Sequence, residues 1–338
     1  MTVPLIVRAA HLHLYIGLFR QIGVPVESAL ARSALPGSIE EWPDAYVSLP
    51  IALAWMAQTG RDLSPMELGF HASRTVSLSS LDVRMQGALL NAVSGLERLL
   101  LVTQIAAIED SAVIAGVRRE GGQFRLFTSM PRIARHPHAC LVEWVNLSVM
   151  VEMVRSIAGA SWMPSEMTFI SRAKVPDAAL AAFERTRILG DQPATSIVIE
   201  AAALANPSGQ PDAAAIAALE AARARGDAAD FWTFPAALRS AIQPYLKDGQ
   251  VGLAHAAEMV GMSQRTLQRR LKLSGTSFAE TVQQARFDLA RQWLGDASLK
   301  VGDIAAMAGY ENPQHFSRAF RKFSGLTPSD YRQLARAH

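Results

Sequence analysis

The chain is 338 residues long, a length that points to two domains rather than one large core. Half of it is hydrophobic and 19% is charged, a balance that excludes disorder on a large scale. The formal net charge of +3 conceals an asymmetry: residues 236–338 hold 14 Lys+Arg against 8 Asp+Glu, while the 235 residues before them hold 19 against 22. A basic C-terminal third on a slightly acidic body is the layout of a polyanion-binding module joined to a second domain, although a merely solvated charged surface gives the same count.

Cys140 is the single cysteine, so neither an intramolecular disulfide nor a multi-cysteine metal site is available, and a reducing compartment suits the chain. The apolar stretch Ala9 to Phe19 contains His11 and His13 and lacks a basic start and a small-residue cleavage site, which argues against a signal peptide. Ala45 to Gly60 is uncharged but shorter than the roughly 20 residues of a membrane span, and Pro50 interrupts it. The expectation is a cytoplasmic protein.

In chain order, Ser80 to Ile108 reads as one long helix, because Leu89, Val93, Leu96 and Leu100 recur at steps of three and four. From Ser111 to Met130 the period changes. Val113-Ile114-Ala115 and Phe124-Arg125-Leu126-Phe127 flank Glu120-Gly121-Gly122-Gln123, the pattern of a hairpin with glycines at the turn. Cys140 to Ile157 returns to helical spacing. Glu166 to Ile170 and Thr195 to Ile199 read as strands, with a helix over Ala178 to Arg187 between them. Residues 1–205 are therefore expected to form an α+β domain. The breaker cluster Asn206-Pro207-Ser208-Gly209-Gln210-Pro211, the Ala-rich run Asp212 to Arg225 (read as a connecting helix) and Pro235 define a linker over 206–235.

Residues 236–338 read as all-helical, and they repeat. With Gly261-Met262-Ser263 laid over Gly309-Tyr310-Glu311-Asn312, and one extra residue allowed in the second turn, Leu267 falls on Phe316, Arg269 on Arg318, Leu271 on Phe320 and Lys272 on Arg321. Ser274-Gly275 then falls on Ser324-Gly325. Each copy, at about 253–273 and 301–323, reads as helix, tight turn, helix. Ala256 and Ala257 are small enough for a second helix to cross closely, and Ile304 to Ala308 play the same part. Gly261 and Gly309 suit the left-handed residue that ends a helix; Ser263 and Asn312 can cap the next one, with Pro313 at its first position. Leu267/Leu271 and Phe316/Phe320 should face the core. At about 100° per residue, Arg269 and Arg318 then lie far round from that face. Arg265, Gln268 and Gln314 sit in the N-terminal part of their helices, the part that enters the major groove in this motif. Arg is suited to guanine and Gln to adenine, whereas Lys272, Arg321 and Lys322 lie further along and suit phosphate.

Ile304-Ala305 through Gly309-Tyr310, Asn312, Phe316-Ser317-Arg318-Ala319-Phe320-Arg321-Lys322, Gly325, Thr327-Pro328 and Tyr331-Arg332 closely resemble the AraC/XylS signature, and the segment from about 236 to 335 fits that family's DNA-binding domain. The resemblance implies two helix-turn-helix units joined by a long helix, here about Phe278 to Trp293, reading successive major grooves about 34 Å apart. It also puts Arg265, Gln268, Arg269, Gln314 and Arg318 where base-reading side chains sit; Pro313 departs from the polar residue often found at its position. Less specifically, Asp62 to Phe70, Ser94-Gly95-Leu96-Glu97 and the run near Glu143-Trp144 resemble the arabinose-binding-domain-like N-terminal region of a subgroup of these regulators. That resemblance implies a domain that senses a small effector and dimerises, without naming any contact residue. The whole then implies a sequence-specific transcription regulator, of the activator kind, that binds double-stranded DNA as a homodimer and contacts RNA polymerase, with no cofactor.

No constellation for catalysis stands out. Ser171-Arg172-Ala173-Lys174 matches the S-x-x-K nucleophile motif, but no Ser-Asp-Asn or Lys-Thr-Gly follows. His136/His138 and His11/His13 lack a third metal ligand at sensible spacing, and no phosphate-binding glycine loop or H-E-x-x-H motif is present. Two alternatives stay open: a DNA-tethered enzyme with an N-terminal catalytic domain, and an effector-blind dimeric DNA-binding protein.

Overall fold

The computed structural model describes residues 2–92, 94–205, 231–247 and 251–336. The expected helix over Asp212 to Arg225 lies outside them. Packing divides the chain differently from its order. One compact unit comprises the described residues of Met1–Ala9, Ala34–Ile51 and Trp232–His338; the other those of Ala10–Ser33 and Ala52–Phe231.

The second of these is α+β. Its helices are α1 (Ala9–Gln21, which starts in the other unit), α2 (Val26–Ala31), α3 (Leu49–Thr59, likewise shared), α4 (Pro65–Ser73), α5 (Val83–Asn91), α6 (Gly95–Ile105), α7 (Ala139–Ala158) and α8 (Asp177–Ala182). The strands β3 (Ile114–Glu120), β4 (Gln123–Ser129), β5 (Glu166–Thr168), β6 (Arg187–Leu189) and β7 (Thr195–Glu200) form one sheet in the order β3-β4-β7-β5-β6. All neighbouring pairs are antiparallel except β5 and β6, which are parallel. The glycine-turned hairpin is β3–β4, with Glu120 opposite Gln123.

Two expected helices are cut short. The run from Ser80 to Ile108 is broken: Ala92 is extended, Ser94 accepts the Glu97 backbone N–H (3.1 Å) as an N-cap, and α6 starts at Gly95. A Cβ on Gly95 would come within 2.8 Å of the Leu204 carbonyl oxygen, so the chain passes there only with a glycine. The leucine spacing ran through the break because both helices bury the same side into one core. Similarly, the run from Ala178 to Arg187 is helical only through Ala182, and Arg187 opens an edge strand.

Helix α7 forms the centre of this unit. Trp144 is buried among Phe70 (centroids 5.0 Å apart) and Phe169 (4.7 Å). Beside it the fully buried Glu143 accepts hydrogen bonds from the Thr195 hydroxyl (2.7 Å) and from the backbone N–H groups of Ser171 (3.2 Å) and Ile170, so it holds the chain leaving β5 to strand β7. Desolvation by burial pushes its carboxyl pKa up, against the pull of those donors. The Ser171 hydroxyl accepts from the Ala173 N–H (3.4 Å) while Lys174 lies 3.8 Å from Asp177, so the S-x-x-K pair is occupied locally.

The other unit is helical but for one strand pair. Strands β1 (Ile6–Arg8) and β2 (Tyr46–Ser48) run antiparallel, with Val7 opposite Val47. Helices α9 (Phe234–Lys247), α10 (Leu253–Met259), α11 (Gln264–Leu273), α12 (Phe278–Leu294), α13 (Val301–Met307), α14 (Pro313–Ser324) and α15 (Pro328–Arg336) follow. Ile6 is fully buried in the same cluster as Phe234, Leu238, Leu267 and Leu271. Tyr46 meets Trp232 edge-on (5.0 Å), Trp42 meets Trp293 (5.8 Å), and the Tyr245 hydroxyl donates to the Ala34 carbonyl (2.8 Å). A second, smaller cluster holds Ile304, Ala305, Phe316 and Phe320.

Replacing Glu143 by Ala should destabilise the protein by about 2–4 kcal/mol, since the buried Thr195 hydroxyl and the half-buried N–H groups of Ile170 and Ser171 lose their acceptor. Glu143→Gln keeps one acceptor oxygen and should cost less. Denaturant unfolding followed by tryptophan fluorescence gives both values, and equal costs would show that the hydrogen bonds are not what matters. Phe320 is 1% exposed and its ring packs on Phe287 (4.9 Å) and Tyr331 (5.5 Å), so Phe320→Ala should cost about 3–5 kcal/mol by the same measurement.

Candidate nucleic-acid interface

The repeat seen in the sequence is a repeat of backbone geometry. Gly261 (φ +62°) and Gly309 (φ +77°) both take the left-handed conformation that ends a helix. The N–H groups that follow return to the same places: Gly261 to Glu258 O and Met262 to Ala257 O in the first copy, Gly309 to Ala306 O and Tyr310 to Ala305 O in the second, all at 2.9 Å. Ser263 then caps α11 by accepting from the Thr266 N–H (3.2 Å), and Asn312 caps α14 by accepting from the Gln314 N–H (2.7 Å), with Pro313 at the first helical position. Each pair α10/α11 and α13/α14 is thus a helix-turn-helix, set by local sequence.

Helix α12 joins the two pairs. Ser277 and Glu280 form a reciprocal capping box at its start. Its Ala285 and Leu289 enter the first hydrophobic cluster, and its Ala290 and Leu294 enter the second. One continuous helix is therefore built into both cores and carries their mutual orientation.

Against that frame the sequence-derived side chains divide cleanly. Leu267, Leu271, Phe316 and Phe320 are buried, as their spacing requires. Arg265, Gln268, Arg269 and Lys272 on α11, and Gln314, Arg318, Arg321 and Lys322 on α14, are all exposed. On α11, Arg265/Arg269 and Gln268/Lys272 are i,i+4 neighbours; on α14, Gln314, Arg318 and Arg321 share a face at i, i+4 and i+7. Among the described residues, Arg265, Arg269, Arg318, Arg321 and Lys272 make no ion pair, so their cationic heads are available to a polyanion. Lys322 differs. It faces Glu280, whose carboxyl is held below its usual range first by the Ser277 hydroxyl and backbone N–H and also by Lys322 itself.

Two neighbouring arginines have structural work that local sequence could not reveal. Arg270 donates to the Thr2 carbonyl (2.9 Å) and stands 5.5 Å over the Phe234 ring, tying α11 to the N-terminal strand pair. Arg286 stacks 5.4 Å over Tyr310, whose hydroxyl donates to Gln283 (2.8 Å), closing the second turn onto α12. Both signals are long-range contacts and leave no periodic trace. Among the described residues no group of three His, Cys, Asp or Glu could hold a metal, and no helix is long and apolar enough to cross a membrane.

Comparison with known proteins bears on this part of the chain above all. The domain family described as "Helix-turn-helix domain" matches residues 256–334. The chain is 36% identical over 92 residues to the transcriptional activator NphR of a Rhodococcus species, covering 27% of this chain and 28% of that protein. It is 23% identical over 341 residues to the HTH-type transcriptional regulator VirS of Mycobacterium tuberculosis, covering 98% of each. The crystal structure of the transcriptional regulator CdpR from Pseudomonas aeruginosa is 22% identical, with 93% of this chain and 98% of that one covered at a TM-score of 0.40. NphR and two further relatives, the regulator YtdP of Bacillus subtilis and the ornithine utilization regulator of Pseudomonas aeruginosa, are each matched over less than a third of their length. Two cores, two glycine-ended turns and two capped second helices, with the family match lying across them, make residues 256–334 a helix-turn-helix domain.

Proposed function

We propose that the protein is a sequence-specific DNA-binding transcription regulator, acting as an activator and controlled by a small effector bound in its N-terminal α+β unit. The observation that carries the DNA-binding half is the pair of second helices with buried apolar faces and unpaired cationic ones, both anchored to α12. In this reading Arg265, Gln268 and Arg269 read bases in one major groove, and Gln314 and Arg318 in the next; Lys272 and Arg321 contact phosphate. Lys322, already facing Glu280, adds less to phosphate binding than Arg321 does. The exposed Gln314 and Arg318 follow Pro313 directly on the first turns of α14, so the proline sets the helix start without covering them.

The effector, the homodimer and contact with RNA polymerase are parts of the same proposal, supported by relatives named as transcriptional activators or regulators, as is a cytoplasmic location. Coupling between effector and DNA has a covalent route. Strand β1 runs straight into α1 and β2 straight into α3, with no loop residue between, so both helices of the sensing unit begin in strands that belong to the helical unit. An effector-blind dimeric protein keeps the DNA-binding half and loses only this coupling.

Selection of bound sequences from random duplex DNA by the full-length protein should return a site with two elements about one helical turn apart. Arg269→Ala and Arg318→Ala should each weaken specific binding by roughly 1–3 kcal/mol and relax the preference in one element only. Lys272→Ala should weaken binding to every sequence and reduce its salt dependence. Sequence-blind, salt-sensitive binding by the unsubstituted protein would sink the two-groove reading. A low-molecular-mass extract of the source cells should change operator affinity; no change with any fraction would favour the effector-blind form.

A further inference from the structure

Helices α5, α6 and α7 and the β3–β4 hairpin of the α+β unit line a partly open cavity of about 50 Å³. A site of about 10–15 Å³ measured this way holds one water, so the space admits a small organic group. Most of its wall is apolar, and three methionines, Met85, Met150 and Met153, line it. Methionine side chains are unbranched and repack readily, so the cavity can widen around a guest without moving backbone.

One end of the cavity is polar, and the groups there are not alike. Glu109 is spoken for: it takes a contact from His11 Nε2 (3.0 Å) on one oxygen and the Asp82 backbone N–H on the other. Asp110 accepts from the Ala112 N–H (2.7 Å) through Oδ1, while its Oδ2 has no protein hydrogen-bond partner among the described residues. Thr128 Oγ1, on β4, is in the same position. Asp110 is 3% exposed and Thr128 6%, and both line the cavity. Leaving a buried polar atom unpaired costs free energy, more so when it is charged, and most such atoms in folded proteins are paired. The ionised Asp110 Oδ2 can only accept, and the Thr128 hydroxyl can accept or donate, so a guest carrying N–H donors can pair both at this end of the cavity.

The charge of that end narrows the chemistry. Glu109 contacts His11, and the charges of both His11 and Arg132 act on Asp110. A carboxylate or phosphate guest would meet two acidic groups and no free cation in the lining. An ammonium group offers three N–H donors and the opposite charge, and it can satisfy Asp110 Oδ2 and Thr128 Oγ1 together. We propose that this cavity is a binding site for a small organic amine, with the amino group on Asp110 and Thr128 and a compact apolar body among the methionines. This rests on the reading that the α+β unit senses a small effector and names the site and chemical class for it. Desolvation by burial pushes the Asp110 carboxyl up to about 6, against the pull of the Ala112 N–H and of the His11 and Arg132 charges.

The test uses the full-length protein and three probes of one length: n-butylamine, butan-1-ol and butanoate, with affinities from ligand-observed NMR titration at pH 7.5. The amine should bind at least about tenfold more tightly than either other probe, since a charge-assisted pair in a water-poor site is worth that much or more. Asp110→Asn keeps an acceptor for the Ala112 N–H and should lower amine affinity about tenfold while leaving the alcohol unchanged. Thr128→Val, similar in shape, should weaken the amine by a smaller factor. Equal affinity for all three probes, no binding of any, or an Asp110→Asn protein that binds the amine as before would overturn the assignment. The two readings separate in one further measurement. If the amine binds as described but leaves operator affinity unchanged at saturation, the site stands and effector control through it falls. If no amine binds while another compound shifts operator affinity, effector control stands and this site falls.

Discussion

A helix that must turn back within three residues needs one residue of positive φ and an acceptor for each N–H that the turn releases. Gly261 and Gly309 meet that constraint in the same way, and the helix that follows each turn is positioned from there. Once the turn is fixed, the next helix leaves at one angle, its leucines or phenylalanines are committed to the core, and the residues two positions on are turned outward. The arginines are exposed because the turns are tight. Because α12 is built into both clusters, the two turns are also fixed relative to each other.

This explains why the helix-turn-helix pairs could be read from the sequence. Turn glycines, cap residues and i,i+4 apolar pairs act over fewer than ten residues, and the sequence contains their whole cause. The β3–β4 hairpin and α7 were legible for the same reason. What failed to show were features whose cause lies far along the chain. Leu89, Leu96 and Leu100 keep helical period across the break, and the glycine at 95 answers to the Leu204 carbonyl, over 100 residues later. Arg270 sits beside Arg269 and looks the same in sequence, yet it is bound to Thr2 while its neighbour is exposed and makes no ion pair among the described residues. The placement of Ile6 and Tyr46 among the C-terminal helices left no local sign either, since a buried strand pair of three residues each has too few positions to show a period. The cavity residues His11, Asp110 and Thr128 come from three separate stretches, and only His11 drew attention by type, as a possible metal ligand.

Burial without pairing and burial with pairing stand side by side in the α+β unit. Glu143 is surrounded by donors and serves as a tie between helix and sheet. Asp110 is nearly as buried, has one donor for two oxygens, and borders open space. The first arrangement satisfies a carboxylate within the chain itself. The second leaves one carboxylate oxygen without a hydrogen-bond partner among the described residues, at the edge of a cavity, so the same residue type is satisfied inside the chain in one place and not in the other.

The strand pair β1–β2 has a consequence for how such a protein can be recombined. A chimera cut at residues 206–235 would separate the C-terminal helices from Ile6, Trp42 and Tyr46, which lie at the other end of the chain yet fill their core. The helices would keep their turns and their outward arginines but expose Phe234, Leu238 and the Trp232 face that the strands cover. Exchange of the α+β unit between chains built this way therefore requires grafting into the interior of the first fifty residues: the donor supplies the equivalents of Ala10–Ser33 and Ala52–Phe231, while residues 1–9 and 34–51 travel with the helix-turn-helix pairs.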